Sequence, residues 1–232
     1  MTPLHNMKLG LTAIAFLLMA PSVYGKDWYG SVSIGGAHTP DSDFSVSGAG
    51  LSIEGETELD NDIEIRMSAG RRIGTFRVEL EGGRSKFNVE SNIAKRLSAG
   101  TFLTITLPNV KISYNDSDIE LISGHANLWF DFDTGTKWRP FLGGGIGITR
   151  ADLTVGASDN GGTKLEADDT SVSFQFGAGV SYALTDTTFI DFSYRYSKAP
   201  NLRFEYTNAG IPTRYDTEAV RHSALFGLRL LF

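Results

Sequence analysis

Apolar residues recur at every second position along most of this chain. Trp28, Gly30, Val32 and Ile34 alternate with Tyr29, Ser31, Ser33 and Gly35. The same rhythm returns in Ile63, Ile65, Met67 and Ala69, then in Phe76, Val78 and Leu80. A repeat of two sends successive side chains to opposite faces of a strand. Eight such rows predict strands over 28–35, 63–70, 76–81, 122–132, 142–149, 171–182, 190–197 and 220–232. These patterned cores approach or exceed the about 9–11 residues that a tilted strand takes to cross a bilayer.

The connections carry a second pattern. Short turns at 74–75, 133–137 and 185–187 alternate strictly with long segments at 38–61, 88–117, 151–170 and 198–218. Both ends of the chain fall on the short-turn side. This predicts an all-β fold: an eight-stranded antiparallel up-and-down transmembrane β-barrel with short periplasmic turns and long outer loops. A soluble sandwich usually lacks that two-sided asymmetry. Within the second long segment, Leu103, Ile105 and Leu107 precede Pro108-Asn109, and Val110, Ile112 and Tyr114 follow. They predict a hairpin standing above the membrane, with a ten-stranded barrel as the alternative. The run Glu54-Gly55-Glu56-Thr57-Glu58 likewise suggests strand continuing past the membrane.

A period of two leaves open which row faces lipid. The polar rows carry charges in mid-strand together with Gly and Ser, which suits a narrow lumen filled by side chains. The apolar rows gather Phe, Tyr and Trp near their ends, as interfacial girdles do. The last row stops on Phe232 in mid-pattern, so Phe226, Leu228, Leu230 and Phe232 are expected to form the terminal-strand signal read by the barrel assembly machinery.

Composition alone points elsewhere. The 232 residues are 41% hydrophobic with a mean hydropathy of -0.11, values typical of a soluble domain. An average cannot register a period of two. Residues 1–25 form a separate unit, with Lys8, an apolar stretch over 9–20, Pro21 and Val23-Tyr24-Gly25. These are the parts of a secretory signal peptide, which leaves 26–232 as the barrel domain. Met7 is an alternative start. The chain has no Cys, which excludes a lipoprotein anchor and disulfides. Loss of Lys8 takes the net charge from -6 to -7, with 20 basic and 27 acidic residues remaining, a balance that argues against nucleic acid as a partner.

The stretches GHANLWFDFDTGTKWRPFLGGGIGITRADL, SFQFGAGVSYALTDTTFIDFSYRYS and HSALFGLRLLF resemble the eight-stranded barrel of opacity-type and porin-like surface antigens of Gram-negative bacteria. Their motifs are Phe130-Asp131-Phe132, the glycine-alternating start from Pro140 to Gly147, Gly-Ala-Gly-Val-x-Tyr, Tyr-Arg-Tyr and the terminal Phe. The resemblance implies an outer-membrane protein with a structural, adhesive or host-contact role carried by its four long loops. Outer-membrane lipid, lipopolysaccharide and a host or matrix ligand are the partners so implied. A narrow porin, a lipid-A-modifying enzyme and a soluble periplasmic barrel are the alternatives.

The best-defined chemistry is a set of charges on the polar rows: Glu64, Arg66, Arg72, Arg77, Glu79, Glu81, Asp131, Asp191, Arg195 and Arg229. Pairing around the turn at 74–75 sets Arg72 opposite Arg77, Gly70 opposite Glu79 and Ser68 opposite Glu81, so Arg72 is expected to reach Glu79 diagonally. Charges deprived of bulk water persist only when paired, which predicts a structural network or, alternatively, the lining of a small-solute pore. His38, His125 and His222 form no recognisable triad, because His222 and Ser223 point to opposite faces. The glycines from 143 to 147 lie within a strand with no following helix, so they read as room for bulky neighbours and not as a dinucleotide loop. Neither metal nor cofactor motifs occur. Asp41, Asp43, Glu54, Glu56, Glu58 and Asp60 make 38–61 acidic with no Lys or Arg, and 151–170 holds five acids against Lys164. Those tips are expected to be solvated, with divalent cations as the alternative.

Cell fractionation should recover the protein in the outer membrane with Lys26 at its amino terminus. Its gel mobility should change on boiling, and an unchanged mobility would refute the barrel.

Overall fold

The computed structural model describes residues 27–59, 62–99, 103–113, 118–155, 165–208 and 210–232. The expected signal peptide, Lys26, Asp60, Tyr114 and Lys164 lie outside the described residues. Strands are the elements of the described chain: β1 (Trp28–His38), β2 (Ser42–Gly48), β3 (Leu51–Leu59), β4 (Asp62–Ile73), β5 (Phe76–Ala99) and β6 (Leu103–Ser113), followed by β7 (Asp118–Asp131), β8 (Trp138–Val155), β9 (Leu165–Ala183), β10 (Thr188–Asn208) and β11 (Ile211–Leu231).

Every pairing is antiparallel. Ladders run β1 to β4, β4 to β5, β5 to β7, then through β8, β9 and β10 to β11. β11 pairs back onto β1, from Tyr29 opposite Leu231 to His38 opposite His222, so the sheet closes on itself. Tight turns at one end fit this geometry. Gly74 and Gly135 hold φ at +63° and +68°, where a side chain would be strained.

The alternation sorts side chains cleanly. Ile146 and Val172 are each 72% exposed on the outer face, whereas Gln175 and Trp129 are fully enclosed. Large and small residues face each other inside. Trp129, Asn127 and His125 stand opposite Gly143, Gly145 and Gly147. A Cβ added to Gly145 would lie 2.1 Å from the Asn127 side chain. The glycine row of β8 therefore makes room for the bulky row of β7.

The long segments, expected as loops apart from strand at 54–58 and the hairpin, are mostly strand where they are described. β2, β3, β6 and the far halves of β5, β8, β9, β10 and β11 extend the wall. Their polarity is inverted. On β8, Ala151 and Leu153 are buried inside while Arg150 is exposed outside. Phe44, Phe87, Leu121, Leu202, Phe204 and Tyr215 complete an apolar interior at this level. The cause is the change of outer solvent. Once the wall leaves lipid, water selects polar outer residues, and the inner row is free to become apolar.

One element departs from the sequence reading. The hairpin expected around Pro108-Asn109 is a single strand, β6, which pairs with the far half of β5. A register shift between Ala94 and Arg96 absorbs the missing Pro108 N–H, as bulges do. β5 exchanges partners along its 24 residues, from β4 and β7 to β3 and β6.

Gly145→Val should cost about 1–3 kcal/mol by overpacking, seen as a lower urea midpoint in lipid vesicles. Gly36→Val, where nothing lies within 4 Å, should leave that midpoint unmoved.

Candidate functional site

The inward rows of the strands meet in one hydrogen-bonded network. Glu64 on β4 is flanked by Arg66 at 2.9 Å and by Arg221 of β11 at 3.1 Å, and it accepts from Ser223. Arg66 donates to Glu81 at 2.6 Å and to Gln175 of β9 at 2.7 Å. Gln175 donates in turn to Glu81 at 2.8 Å and to Asn127 at 2.7 Å. Arg195 of β10 lies 3.6 Å from Glu81, with its guanidinium 3.9 Å above the Trp129 ring. Glu64, Glu79 and Glu81 thus face Arg66, Arg195 and Arg221, three charges of each sign.

Glu79 is held differently. Its carboxylate accepts from Tyr29 at 3.0 Å, Ser68 at 2.9 Å, Asn127 at 3.1 Å and Trp129 at 3.1 Å. The register sets Gly70 opposite Glu79 and Arg72 opposite Arg77. Arg72 nevertheless does not make the expected diagonal contact. Neutral donors from β1, β4 and β7 occupy both carboxylate oxygens, and Arg72 lies half-buried at the turn end.

A second tier closes the turn end. Arg77 donates to Asp131 at 3.0 Å, and Arg229 grips Asp191 at 2.9 and 3.1 Å. The two guanidiniums stack over Phe141 and Phe189, each at 4.8 Å. Tyr29, Phe189 and Leu231 form a small apolar cluster beside them. Asp131 and Asp191 balance Arg77 and Arg229, and Arg139 adds a further guanidinium 5.6 Å over the Phe189 ring.

Arg221, Gln175, Asn127 and Tyr29 belong to the network although the sequence did not single them out. Their inward parity was readable, since Arg221 shares a face with Ser223 and Arg229. Their partners were not, because contacts across a lumen have no fixed sequence spacing. The structure also joins a serine to a histidine, with Ser173 Oγ 2.9 Å from His125 Nε2. Both are buried, and His125 Nδ1 has no hydrogen-bond partner. No acid orients that ring, so the pair lacks the third member of a triad. His222 points outward against Tyr194.

Two spaces between inward side chains are small. The space among Thr57, Phe87, Leu121, Phe204 and Tyr215 measures about 30 Å³, and that beside Thr149 and Arg221 about 10 Å³. Outside, clefts of about 530 and 650 Å³ share Pro200, Asp216 and Thr217.

The acidic segments are less bare than their local sequence suggests. Arg96 pairs with Glu54 at 3.0 Å, Lys95 pairs with Glu56, and Arg150 reaches Asp168 at 3.2 Å. Burial alone would raise the Asp216 carboxyl, but hydrogen bonds from Arg214 and Arg203 hold it below the usual range. Among the described residues, no cluster of three or more His, Asp or Glu side chains could hold a metal ion.

The sequence matches the family described as outer membrane protein beta-barrel domain over residues 9–215. It is 27% identical over 125 residues to the outer membrane protein PagN of Salmonella typhimurium, covering 50% of this chain and 52% of PagN. The match therefore spans about half of that relative. Among solved structures, OprG of Pseudomonas aeruginosa superposes with a TM-score of 0.57 at 14% identity, over 88% of this chain and 97% of OprG. Neisserial surface protein A gives 0.50 at 22% identity, over the same shares. At such identities the likeness is one of fold.

Glu64→Ala should destabilise the protein by about 3–5 kcal/mol, because it leaves Arg66 and Arg221 buried without their shared carboxylate. Tryptophan fluorescence during urea unfolding in vesicles measures the loss, and Glu120→Ala on the exposed outer face should change stability by less than about 1 kcal/mol.

Proposed function

The chain belongs to the outer membrane protein beta-barrel domain family, and from that premise we propose a non-enzymatic surface protein that contacts its surroundings through the tier of strands above the bilayer. It is a protein of the outer membrane of Gram-negative bacteria. In this reading β1, β4, β5, β7, β8, β9, β10 and β11 are the eight spanning strands, residues 1–25 are a removed signal, and the tight turns face the periplasm. The network around Glu64, Arg66 and Glu81 acts as a structural plug. Phe226, Leu228, Leu230 and Phe232 on β11 present the signal for the assembly machinery.

The observation that carries the reading is the inversion of polarity along single strands. On β7 the outward side changes from Leu128 and Ile122, exposed and apolar, to Glu120, which pairs with Arg84 at 2.7 Å. That change supports a wall crossing lipid and then continuing into water, where it is free to meet a host or matrix ligand. Lipopolysaccharide is the neighbour expected at the boundary, beside Arg84, Arg150 and Lys198. The side chains bonded across the lumen weigh against a narrow porin, and the buried Ser173–His125 pair weighs against a lipid-A-modifying enzyme.

Bacteria expressing the protein should adhere to host cells or matrix above the level of empty-vector cells. Replacing 42–57 by a short turn should abolish that gain while heat-modifiable mobility persists, and undiminished adhesion would refute the reading. In planar bilayers the parent, Arg77→Ala and Arg229→Ala proteins should all lack steady conductance.

A further inference from the structure

Nearly all exposed large apolar side chains lie on the lipid-facing band or its turn-end rim. Among the described residues four do not: Leu51 at 50%, Leu103 at 52%, Ile105 at 44% and Ile211 at 43% exposure. They sit together at the tips of neighbouring hairpins. Gly48 pairs with Leu51, Leu51 with Ala99, and Ala99 with Leu103. Ile211 lies 3.5 Å from the place a Gly48 Cβ would occupy. One step lower, Val46, Ile53, Leu97 and Ile105 form a parallel row on the same face. Val46 and Ile53 pack on the apolar interior, so the patch is that interior rising into the open.

Lipid is a poor cover for this surface. Lys86, which pairs with Asp118 on the outer face, already lies beyond the apolar band. Leu97 lies eleven positions beyond Lys86 on β5, roughly 35 Å of extended chain. Contiguous apolar surface in water is characteristic of contact sites.

The strand that carries two of the four residues also has a free edge. Among the described residues, β6 pairs with β5 and with no other strand. In an antiparallel ladder alternate residues turn both N–H and C=O to the same side. Every second residue over 103–107 therefore directs its backbone groups away from β5, until Pro108, which has no N–H to offer. Such an edge is a template for another strand.

Charge narrows the occupant further. Residues 103–107 carry none, and the nearest charges on β5, Lys95 and Arg96, are already matched by Glu56 and Glu54. A polyanionic sugar or a phosphate would meet nothing complementary there. An uncharged extended polypeptide would satisfy both the backbone edge and the apolar face.

We propose that β6 accepts an added strand, an extended segment of a partner protein that pairs with the backbone of 103–107 and lays its alternate apolar side chains on Leu103 and Ile105. The proposal rests on the reading that this tier faces the outside of the cell. Strand addition of this kind draws affinity from main-chain hydrogen bonds and specificity from alternate side chains.

The test uses the full barrel in lipid nanodiscs and a fluorescein-labelled ten-residue peptide of alternating valine and threonine, read by anisotropy. Saturable binding is expected. It should weaken at least tenfold when every peptide amide is N-methylated, and equally for the Leu103→Asp/Ile105→Asp barrel, whose folding is checked by gel mobility. Absence of saturable binding, indifference to N-methylation, or full binding by the substituted barrel would each overturn the proposal. Self-association of barrels that the double substitution abolishes would assign the edge to a second copy and overturn it as well. Adhesion assays on the same bacteria separate the two readings. Adhesion lost on removal of 42–57 alongside a failed peptide test sinks only the strand addition, whereas absence of any adhesion by the parent sinks the surface-contact reading itself.

Discussion

A peptide N–H in hydrocarbon has no water to bond with, so a wall in lipid must satisfy its backbone internally. The ladder from β1 round to β11 and back to β1 meets this condition by leaving no strand edge at the level of the apolar band. Its long strands follow from the same requirement. Above that band water can satisfy a backbone group, and there the continuity relaxes. β10 separates from β9 beyond Lys198, where Pro200 has no N–H to give, and among the described residues β6 pairs on one side alone.

Closing the sheet creates an inside too narrow for bulk water. Polar side chains placed there must bond to one another, and the strands supply charges of both signs. Glu64, Glu79 and Glu81 balance Arg66, Arg195 and Arg221, while Asp131 and Asp191 balance Arg77 and Arg229. Charges buried this way are not a general source of stability, because desolvation offsets much of their attraction. What they provide is mutual dependence. Gln175 alone links Arg66, Glu81 and Asn127 from three other strands, so displacing one wall residue disturbs distant ones.

Much of this was legible along the chain. Parity set Trp129 and Leu128 on opposite faces, the charges of the polar rows turned Trp129 inward, and the same parity placed Gly143 and Gly145 on the row that must make room. The short turns at Gly74 and Gly135 were equally plain, since their residues act locally. The outer tier was harder. Its strands keep the period of two, but their apolar residues move to the inner face, which resembles loop when one polarity is assumed throughout. Pro108 looked like the corner of a hairpin because a proline marks a bulge and a turn in the same way. Glu54 and Glu56 looked uncompensated because Arg96 and Lys95 lie about forty residues later in the chain.

The sequence by itself determined the strand class, the two faces of each strand and the end at which the turns are tight. These follow from side-chain alternation and from residues that act within a few positions. Tertiary structure alone decided that Glu79 is held by neutral donors instead of Arg72, that Arg221 completes the network, and that β6 pairs with the far half of β5. Each of those outcomes depends on how far apart strands stand across a closed lumen and on which strand outlasts its neighbour. Distances across a barrel are set by closure and stagger, and no local run of residues encodes them.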